Sequence, residues 1–239
     1  MTVHKFPTLK PDDPAAGFPN IEVMALNLLG EKNVITVQQH CELFKQKIPH
    51  CSLVVNPTIE HLQQAALENS QCGEVNYEPE IDWHLVYVSS LSIVEQYRII
   101  GTDPEKRPCF KKDNDLEKST DSWPFRKPEA GYYLIDASCR FRSTNWQAQE
   151  DAISALGRDY VRADETVFLQ AAMSIWKKKG KRIFHSHWGR SLNSEGHRVC
   201  IGEFYSEGPW VSADEPVFSR ADSHWVYVAH TSNDRCFIP

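Results

Sequence analysis

Apolar side chains recur with helical spacing in two segments of the first half of the chain. Thr36 occupies an N-cap position before the first segment, Gln39 completes a capping box, and Pro49 ends the pattern. Thr58 caps the second segment, which ends in the polar run at residues 68–71. The pattern predicts two short amphipathic helices, with Val37, Cys41, Phe44 and Ile48 facing inward in the first and Ile59, Leu62, Ala65 and Ala66 in the second.

Runs of β-branched and aromatic residues predict strands in the same half of the chain. Residues 52–55 form one short run between the two helices. Residues 83–88 and 93–100 form two longer runs separated by a Ser-Leu-Ser stretch, so we expect a pair of strands there.

The second half carries clearer start and stop signals. A strand is predicted at residues 132–137, followed by a helix that Asn145 caps and Gly157 ends. Asp164 caps a further helix, which has a basic last turn at residues 177–179 and stops at Gly180. Strands are then predicted at 183–188, 198–205 and 225–229.

This order of elements predicts an α+β fold. We expect an antiparallel sheet with two helices packed on one side in the C-terminal half, and a smaller mixed α/β part in the N-terminal half. Prolines and a glycine crowd residues 1–20, which we interpret as an extended arm. The predicted units are 21–101 and 129–239, joined by a charged, proline-rich linker or long loop at 102–128.

The second half also resembles the C-type-lectin-like fold, which has two helices after its first strand and a loop-rich sheet thereafter. Glu215-Pro216 and Asn233-Asp234 are similar to the calcium-binding motifs of that family, whereas Val217 and Ser232 depart from them. The resemblance implies an alternative architecture for the C-terminal half.

Composition and charge narrow the function classes. The 239 residues are 41% hydrophobic and 24% charged, with a net charge of -6, so duplex nucleic acid is not an expected partner. The seven cysteines form no CxxC pair and show irregular spacing, which does not indicate a disulfide framework. We find no signal peptide and no membrane span in the sequence, and therefore expect a soluble, cytoplasmic protein without disulfides. Export by a route without a cleaved N-terminal signal is the alternative.

Two histidines and a cysteine form one candidate for chemistry. His185 and His187 alternate along a predicted strand, so both imidazoles face one side. Pairing Trp188 with His197 would bring Cys200 opposite His185, giving a partial zinc shell that Glu203 or Asp214 would complete. The alternatives are a structural histidine pair facing polar neighbours with Cys200 as a small buried side chain, or a cysteine nucleophile, Cys200 or Cys139, with Asp136 orienting its base.

Aromatic and polar residues form a second candidate, a ligand surface in the C-terminal half. Trp210 follows a Gly-Pro loop, and Arg190 and His224 lie in or beside predicted strands. Aromatic faces flanked by hydrogen-bonding groups bind sugars, nucleobases or proteins.

These patterns lead to a functional hypothesis with two alternatives. The sequence lacks GxGxxG, Walker, GxSxG, HExxH and kinase motifs. We therefore expect a non-catalytic binding or interaction protein without a cofactor, whose ligand surface comprises His185, His187, Arg190, Trp210 and His224. A small hydrolase-type enzyme using His185, His187 and Cys200, with or without zinc, is one alternative, and a structural or assembly subunit is the other. The sequence leaves the protein or small-molecule ligand and the oligomeric state open.

Overall fold

The helices and strands combine into a mixed α+β fold. The computed structural model describes residues 21–49, 57–71, 81–112, 115–141, 145–180, 182–183, 188–192, 198–213 and 224–230. Within these ranges the helices are α1 (Ile21–Leu29), α2 (Val37–Leu43), α3 (Ile59–Gln71), α4 (Ile93–Ile100), α5 (Trp146–Leu156) and α6 (Glu165–Lys179). The strands are β1 (Val34–Ile35), β2 (Trp83–Val88), β3 (Gly131–Arg140), β4 (Tyr160–Arg162), β5 (Trp188–Leu192), β6 (Arg198–Tyr205), β7 (Gly208–Ala213) and β8 (His224–His230). Short 3₁₀ turns lie at Glu31–Asn33, Asp115–Lys118 and Trp123–Phe125.

The described strands form one sheet in the order β1-β2-β3-β8-β5-β6-β7, and β4 pairs with β8 off this path. β1 runs parallel to β2, and β5 runs parallel to β8, while the other pairs are antiparallel. The sheet is therefore mixed, and the prediction of an antiparallel sheet is wrong in this detail, because β8 enters the sheet between β3 and β5.

The sheet continues across the predicted boundary between the two units. β2 precedes the segment 102–128 and β3 follows it, yet the two strands pair from Trp83 with Asp136 to Val88 with Gly131. Apolar residues from both predicted units also share each core cluster. The two units therefore have a common core, and a division of the chain at 102–128 stays a prediction.

Both faces of the sheet are covered where β2 lies, because every residue of this strand is buried. Alternation directs Trp83, Leu85 and Tyr87 toward a cluster that includes residues of α1 and α3. Val86 and Val88 pack on the opposite face, in the cluster that contains α6. A strand that is apolar on both faces needs a cover on each side, and the sequence Trp-His-Leu-Val-Tyr-Val has this character.

Helices α5 and α6 cover opposite faces of the sheet. Ile153 of α5 belongs to the cluster with α1 and α3, whereas Phe168 of α6 belongs to the other cluster. The prediction that both helices pack on one side is therefore wrong. The apolar alternation of β2 and β3 provides the physical reason, since each strand buries side chains in both directions.

Helix α6 is the central element of its layer, and the prediction of its ends is confirmed. The Asp164 side chain accepts hydrogen bonds from the backbone N–H groups of Thr166 and Val167, and Gly180 adopts a left-handed conformation with φ 67°. All residues from Glu165 to Trp176 are buried. Such a helix is covered on all sides, here by the sheet, α2, α4 and parts of the segment 102–128.

The other predicted helix starts are also confirmed. Thr36 and Gln39 form the expected capping box before α2, and Asn145 caps α5. The Thr58 side chain accepts from the backbone N–H of His61 at the start of α3. The predicted arm at 1–20 and the predicted strand at 52–55 lie outside the described residues.

Residues 93–100 form helix α4, so the prediction of a strand there is wrong. The Ser92 hydroxyl accepts from the backbone N–H of Glu95 at 3.2 Å, and the Glu95 carboxylate accepts from the backbone N–H of Ser92 at 2.8 Å. This capping box provides a helix start that outweighs the strand preference of the three isoleucines and one valine in the segment.

The segment 102–128 forms an irregular cover over α4 and α6. Phe110, Leu116 and Trp123 are buried in the same cluster as α6. The segment also touches β7 so closely that a Cβ at Gly208, where φ is +96°, would overlap the carbonyl oxygen of Cys109. The predicted long loop is thus anchored to the core.

Candidate functional site

The residues of the predicted C-terminal ligand surface fall on several strands, and the structure describes them in part. His185 and His187 lie outside the described residues. Arg190 lies in β5 and His224 in β8, two strands that pair directly. Trp210 lies in β7 and is 36% exposed, with the Lys111 ammonium 4.2 Å from the centroid of its indole ring. This cation–π contact places a basic group beside an exposed aromatic ring, and the ligand surface itself stays a prediction.

The strand register assumed for the zinc hypothesis is wrong. The structure pairs Trp188 with Gly202, not with His197, and Cys200 lies opposite Arg190. The reason is that β5 spans Trp188–Leu192, so it shares only Trp188 with the strand predicted at 183–188, and Ile183 lies in a turn. Among the described residues, no group of three or more His, Cys, Asp or Glu side chains is arranged to hold a metal ion. The roles of His185 and His187 stay untested.

The thiols that the structure describes are buried and form no disulfide. Cys41, Cys109 and Cys200 are free cysteines with little exposure. Burial raises the pKa of the Cys41 thiol to about 11, and burial also raises the pKa of Cys109. A protonated, buried thiol is a poor nucleophile, so Cys41 and Cys109 are structural residues.

A polar cleft of about 440 Å³ opens where β1 and β2 begin. Asn33 immediately precedes β1, Asp82 immediately precedes β2, and Lys179 comes from the last turn of α6. Lys32 and Ser70 add further polar groups, and α1 and α3 contribute apolar wall. Elements from both faces of the sheet therefore meet at this cleft.

Helix α3 is fixed against the start of β2 by a pair of hydrogen bonds. The Asn69 side chain donates to the carbonyl oxygen of Trp83 at 3.1 Å and accepts from the Trp83 backbone N–H at 2.8 Å. The Trp83 indole N–H donates to the Glu68 carboxylate at 2.8 Å. These contacts hold one wall of the cleft at a defined distance from Asp82, the residue before Trp83.

A cluster of three titratable groups lies at the base of the cleft. The Lys179 Nζ lies 3.0 Å from the Asn33 side-chain oxygen, 3.1 Å from His84 Nε2 and 3.8 Å from Asp82 Oδ1. His84 Nε2 is also 3.0 Å from Asp82 Oδ1. The Asp82 and Lys179 side chains are 19% and 17% exposed, whereas the His84 side chain is 0% exposed. The two charged groups therefore face water, and the imidazole lies behind them.

Lys178 joins the end of α6 to the 3₁₀ turn and the start of β1 beside the cleft. Its ammonium donates to the carbonyl oxygens of Glu31 and Val34 at 2.7 and 2.6 Å. Partial burial lowers the pKa of Lys178, against the opposing effect of the Glu31 carboxylate. The predicted role of residues 177–179 in the last turn of α6 thus extends to tertiary contacts that fasten the 3₁₀ turn beside the cleft.

A second polar cluster is sealed inside the protein. His40 is 0% exposed, with Nε2 3.0 Å from the Ser89 hydroxyl and Nδ1 3.3 Å from the Ser174 hydroxyl. Gln170 accepts from the Ser89 backbone N–H and hydroxyl, each at 3.1 Å. Since these residues are buried, this histidine–serine arrangement joins α2, α6 and the end of β2 and does not meet a ligand.

The cleft was not predicted from the sequence, although parts of its signal are visible there. Asp82 and His84 alternate at the start of a strand, which places both side chains on one side. Lys179 belongs to a basic run that is typical of a helix end, and Asn33 has no distinguishing pattern. These residues lie far apart in the sequence, so no local pattern predicts that they form one site.

Comparisons with known proteins give no relative for this chain: no protein-family model, no curated protein and no solved structure matches it. In the described residues, no helix has the length and apolar character needed to cross a membrane. The resemblance to the C-type-lectin-like fold stays a prediction, because its motifs at 215–216 and 233–234 lie outside the described residues.

Proposed function

We propose that this protein binds a small polar molecule in the cleft where β1 and β2 begin. The observation that carries the proposal is the convergence of Asn33, Asp82 and Lys179, from three distant parts of the chain, on one cleft of about 440 Å³. Cavities of roughly 300–1,000 Å³ that combine apolar walls with a few convergent polar groups are typical ligand sites.

The cleft combines a fixed frame with polar groups at the water boundary. Asn69 uses its amide to hold the backbone of Trp83, so it shapes the wall. Lys179 and Asp82 are held by each other and by buried His84, while both retain some exposure. A frame held in this way reduces the ordering cost of binding a ligand.

A blocking variant tests this proposal. Ser70 is exposed at the cleft, so Ser70→Trp obstructs the cleft without altering a core residue. Gln63→Trp adds the same side chain at an exposed position of the same helix that does not line the cleft, and serves as the matched control. Both variants and the unmodified protein are screened by thermal denaturation against a library of small polar metabolites.

We expect at least one compound to raise the melting temperature of the unmodified protein and of Gln63→Trp, but not of Ser70→Trp. The proposal is wrong if no compound stabilises the unmodified protein, or if every stabilising compound acts equally on Ser70→Trp.

A second candidate function is acid–base catalysis in the same cleft. It is favoured by the position of His84 Nε2, which lies 3.0 Å from Asp82 Oδ1 and 3.1 Å from Lys179 Nζ. Asp82 and Lys179 line the cleft and can exchange protons with a bound substrate, while the fully buried His84 would position them from behind. Each stabilising compound is therefore incubated with the protein, and its products are followed by mass spectrometry. Turnover that falls about 100-fold in His84→Gln while binding is retained supports catalysis. If no product forms from any stabilising compound, catalysis is ruled out for the compounds tested.

The C-terminal surface remains a separate proposal. Exposed Trp210 with Lys111 over its ring supports it. Loss of ligand binding in Trp210→Ala or His187→Ala would assign a ligand to this surface. If both variants bind every ligand found as well as the unmodified protein does, the proposed surface is wrong.

Zinc that is present in the purified protein and lost from His187→Ala would support the metal-dependent alternative. An oligomer of fixed stoichiometry in light scattering would support an assembly subunit.

A further inference from the structure

Among the described residues that line the cleft, the charges do not balance. Lys32 and Lys179 contribute two ammonium groups to this lining, and Asp82 contributes one carboxylate, which leaves one positive charge. Lys179 lies 3.8 Å from the Asp82 carboxylate, so these two charges neutralise each other within the protein. The excess charge therefore belongs to Lys32.

Lys32 is placed to act on a ligand. Its side chain lines the cleft and is exposed, and within the described ranges it forms no ion pair or hydrogen bond. Its neighbour Asn33 is buried and accepts from Lys179, so the backbone that carries Lys32 is held in place. An ammonium that lines a half-open polar cleft attracts an opposite charge on whatever enters.

The acidic character of the whole chain does not cancel this local charge. The net charge is -6 over 239 residues, but salt at physiological concentration screens exposed charges beyond about 8 Å. At the short distance between Lys32 and a molecule in the cleft, the ammonium therefore acts on the ligand with little screening. A cationic ligand would meet like charge there.

We propose that the ligand of this cleft is a small anion, with a carboxylate or phosphate group that pairs with Lys32 while its polar remainder reaches the Asp82–Lys179 pair. This inference rests on the proposed function, because it assigns a ligand class to the same cleft. It excludes neutral and cationic molecules as the preferred class.

The test uses pairs of probes that differ in charge. Lactate is compared with lactamide, and glycerol 3-phosphate with glycerol, so that the carboxylate and phosphate arms are separate. Binding is measured by isothermal titration calorimetry on the full chain at low and at physiological salt. Lys32→Gln removes the charge, Lys32→Arg keeps it, and Lys177→Gln removes an exposed lysine from the last turn of α6 that does not line the cleft.

We expect the anionic member of at least one pair to bind about two- to fivefold tighter than its neutral partner, as for an exposed ion pair. The advantage should vanish in Lys32→Gln, persist in Lys32→Arg and Lys177→Gln, and weaken with added salt. The probe pair that shows this advantage indicates whether the cleft prefers a carboxylate or a phosphate.

Three results would overturn the inference: equal binding of both members in each pair, an anion preference that Lys32→Gln retains, or no measurable binding of any probe. The proposed function is judged independently by the thermal screen with Ser70→Trp. If the calorimetry shows no anion preference but a compound in that screen stabilises the unmodified protein and not Ser70→Trp, the cleft stays a binding site and only the anionic ligand class is excluded.

Discussion

His40 should make the stability of this protein depend on pH. The side chain is 0% exposed and lies between the hydroxyl groups of Ser89 and Ser174. Burial lowers the pKa of His40 from 6.5 to about 3, and outweighs the opposing hydrogen-bond contribution of Gln170. The folded protein therefore keeps this imidazole neutral under conditions in which the unfolded chain protonates it.

The direction and size of the effect follow from proton linkage. Between pH 6.5 and about pH 3 the unfolded chain binds a proton that the folded chain does not, so the free energy of unfolding falls as the pH falls. From pH 8 to pH 5 the loss assigned to His40 is about 2 kcal/mol. The contribution is fully present above the unfolded pKa of 6.5.

The assay is urea unfolding at pH 8, 6.5 and 5 and constant ionic strength, followed by tryptophan fluorescence. His40→Gln keeps a polar side chain between the two hydroxyls but does not titrate in this range, so its free energy of unfolding should lose about 2 kcal/mol less than that of the unmodified protein. Identical slopes for His40→Gln and the unmodified protein would refute the assignment.

Three further substitutions test the packing by chemical denaturation. Gly208→Ala should lower the free energy of unfolding by about 2–4 kcal/mol, because its φ is +96° and the new Cβ would overlap the Cys109 carbonyl. Gly180→Ala is the control and should lose only about 1–2 kcal/mol, because its φ is +67° but nothing lies within 4 Å of the new Cβ. Equal losses in the two variants would contradict the close contact at Gly208. Phe168→Ala should lower the free energy of unfolding by about 3–5 kcal/mol, since the ring is fully buried. Leu67 is 51% exposed, so Leu67→Ala should change the free energy of unfolding by less than about 0.5 kcal/mol. A small effect of Phe168→Ala would contradict the central position of α6. Asp164→Ala should lose about 1–2 kcal/mol because two backbone N–H groups lose their acceptor and Arg126 loses an ion-pair partner, and an unchanged midpoint would show that both contacts are dispensable.

Local structure was predictable where side chain and backbone interact over a few residues. The starts of α2, α5 and α6 follow from Thr36, Asn145 and Asp164, whose side chains accept hydrogen bonds from their own helices. The same signal was available at Ser92, where Glu95 completes a capping box. The isoleucine-rich composition of residues 93–100 favours a strand, but the capping box provides a helix start that outweighs this propensity.

Long-range structure was not predictable from the same patterns. The sheet order depends on β8 entering between β3 and β5, which no local feature of residues 224–230 indicates. The cleft depends on Asn33, Asp82 and Lys179, and each of these has an ordinary local explanation in the sequence. Their common location arises only when the last turn of α6 reaches the beginnings of β1 and β2.

The most direct test of the binding cleft is backbone amide NMR during titration with a library of small polar fragments. The account predicts that the fragments that bind shift the amide signals of Asn33, Ser70 and Asp82 together, and that Ser70→Trp abolishes these shifts while Gln63→Trp retains them. Fragments that shift only signals around Trp210, or a library in which no fragment shifts the three cleft amides, would contradict it.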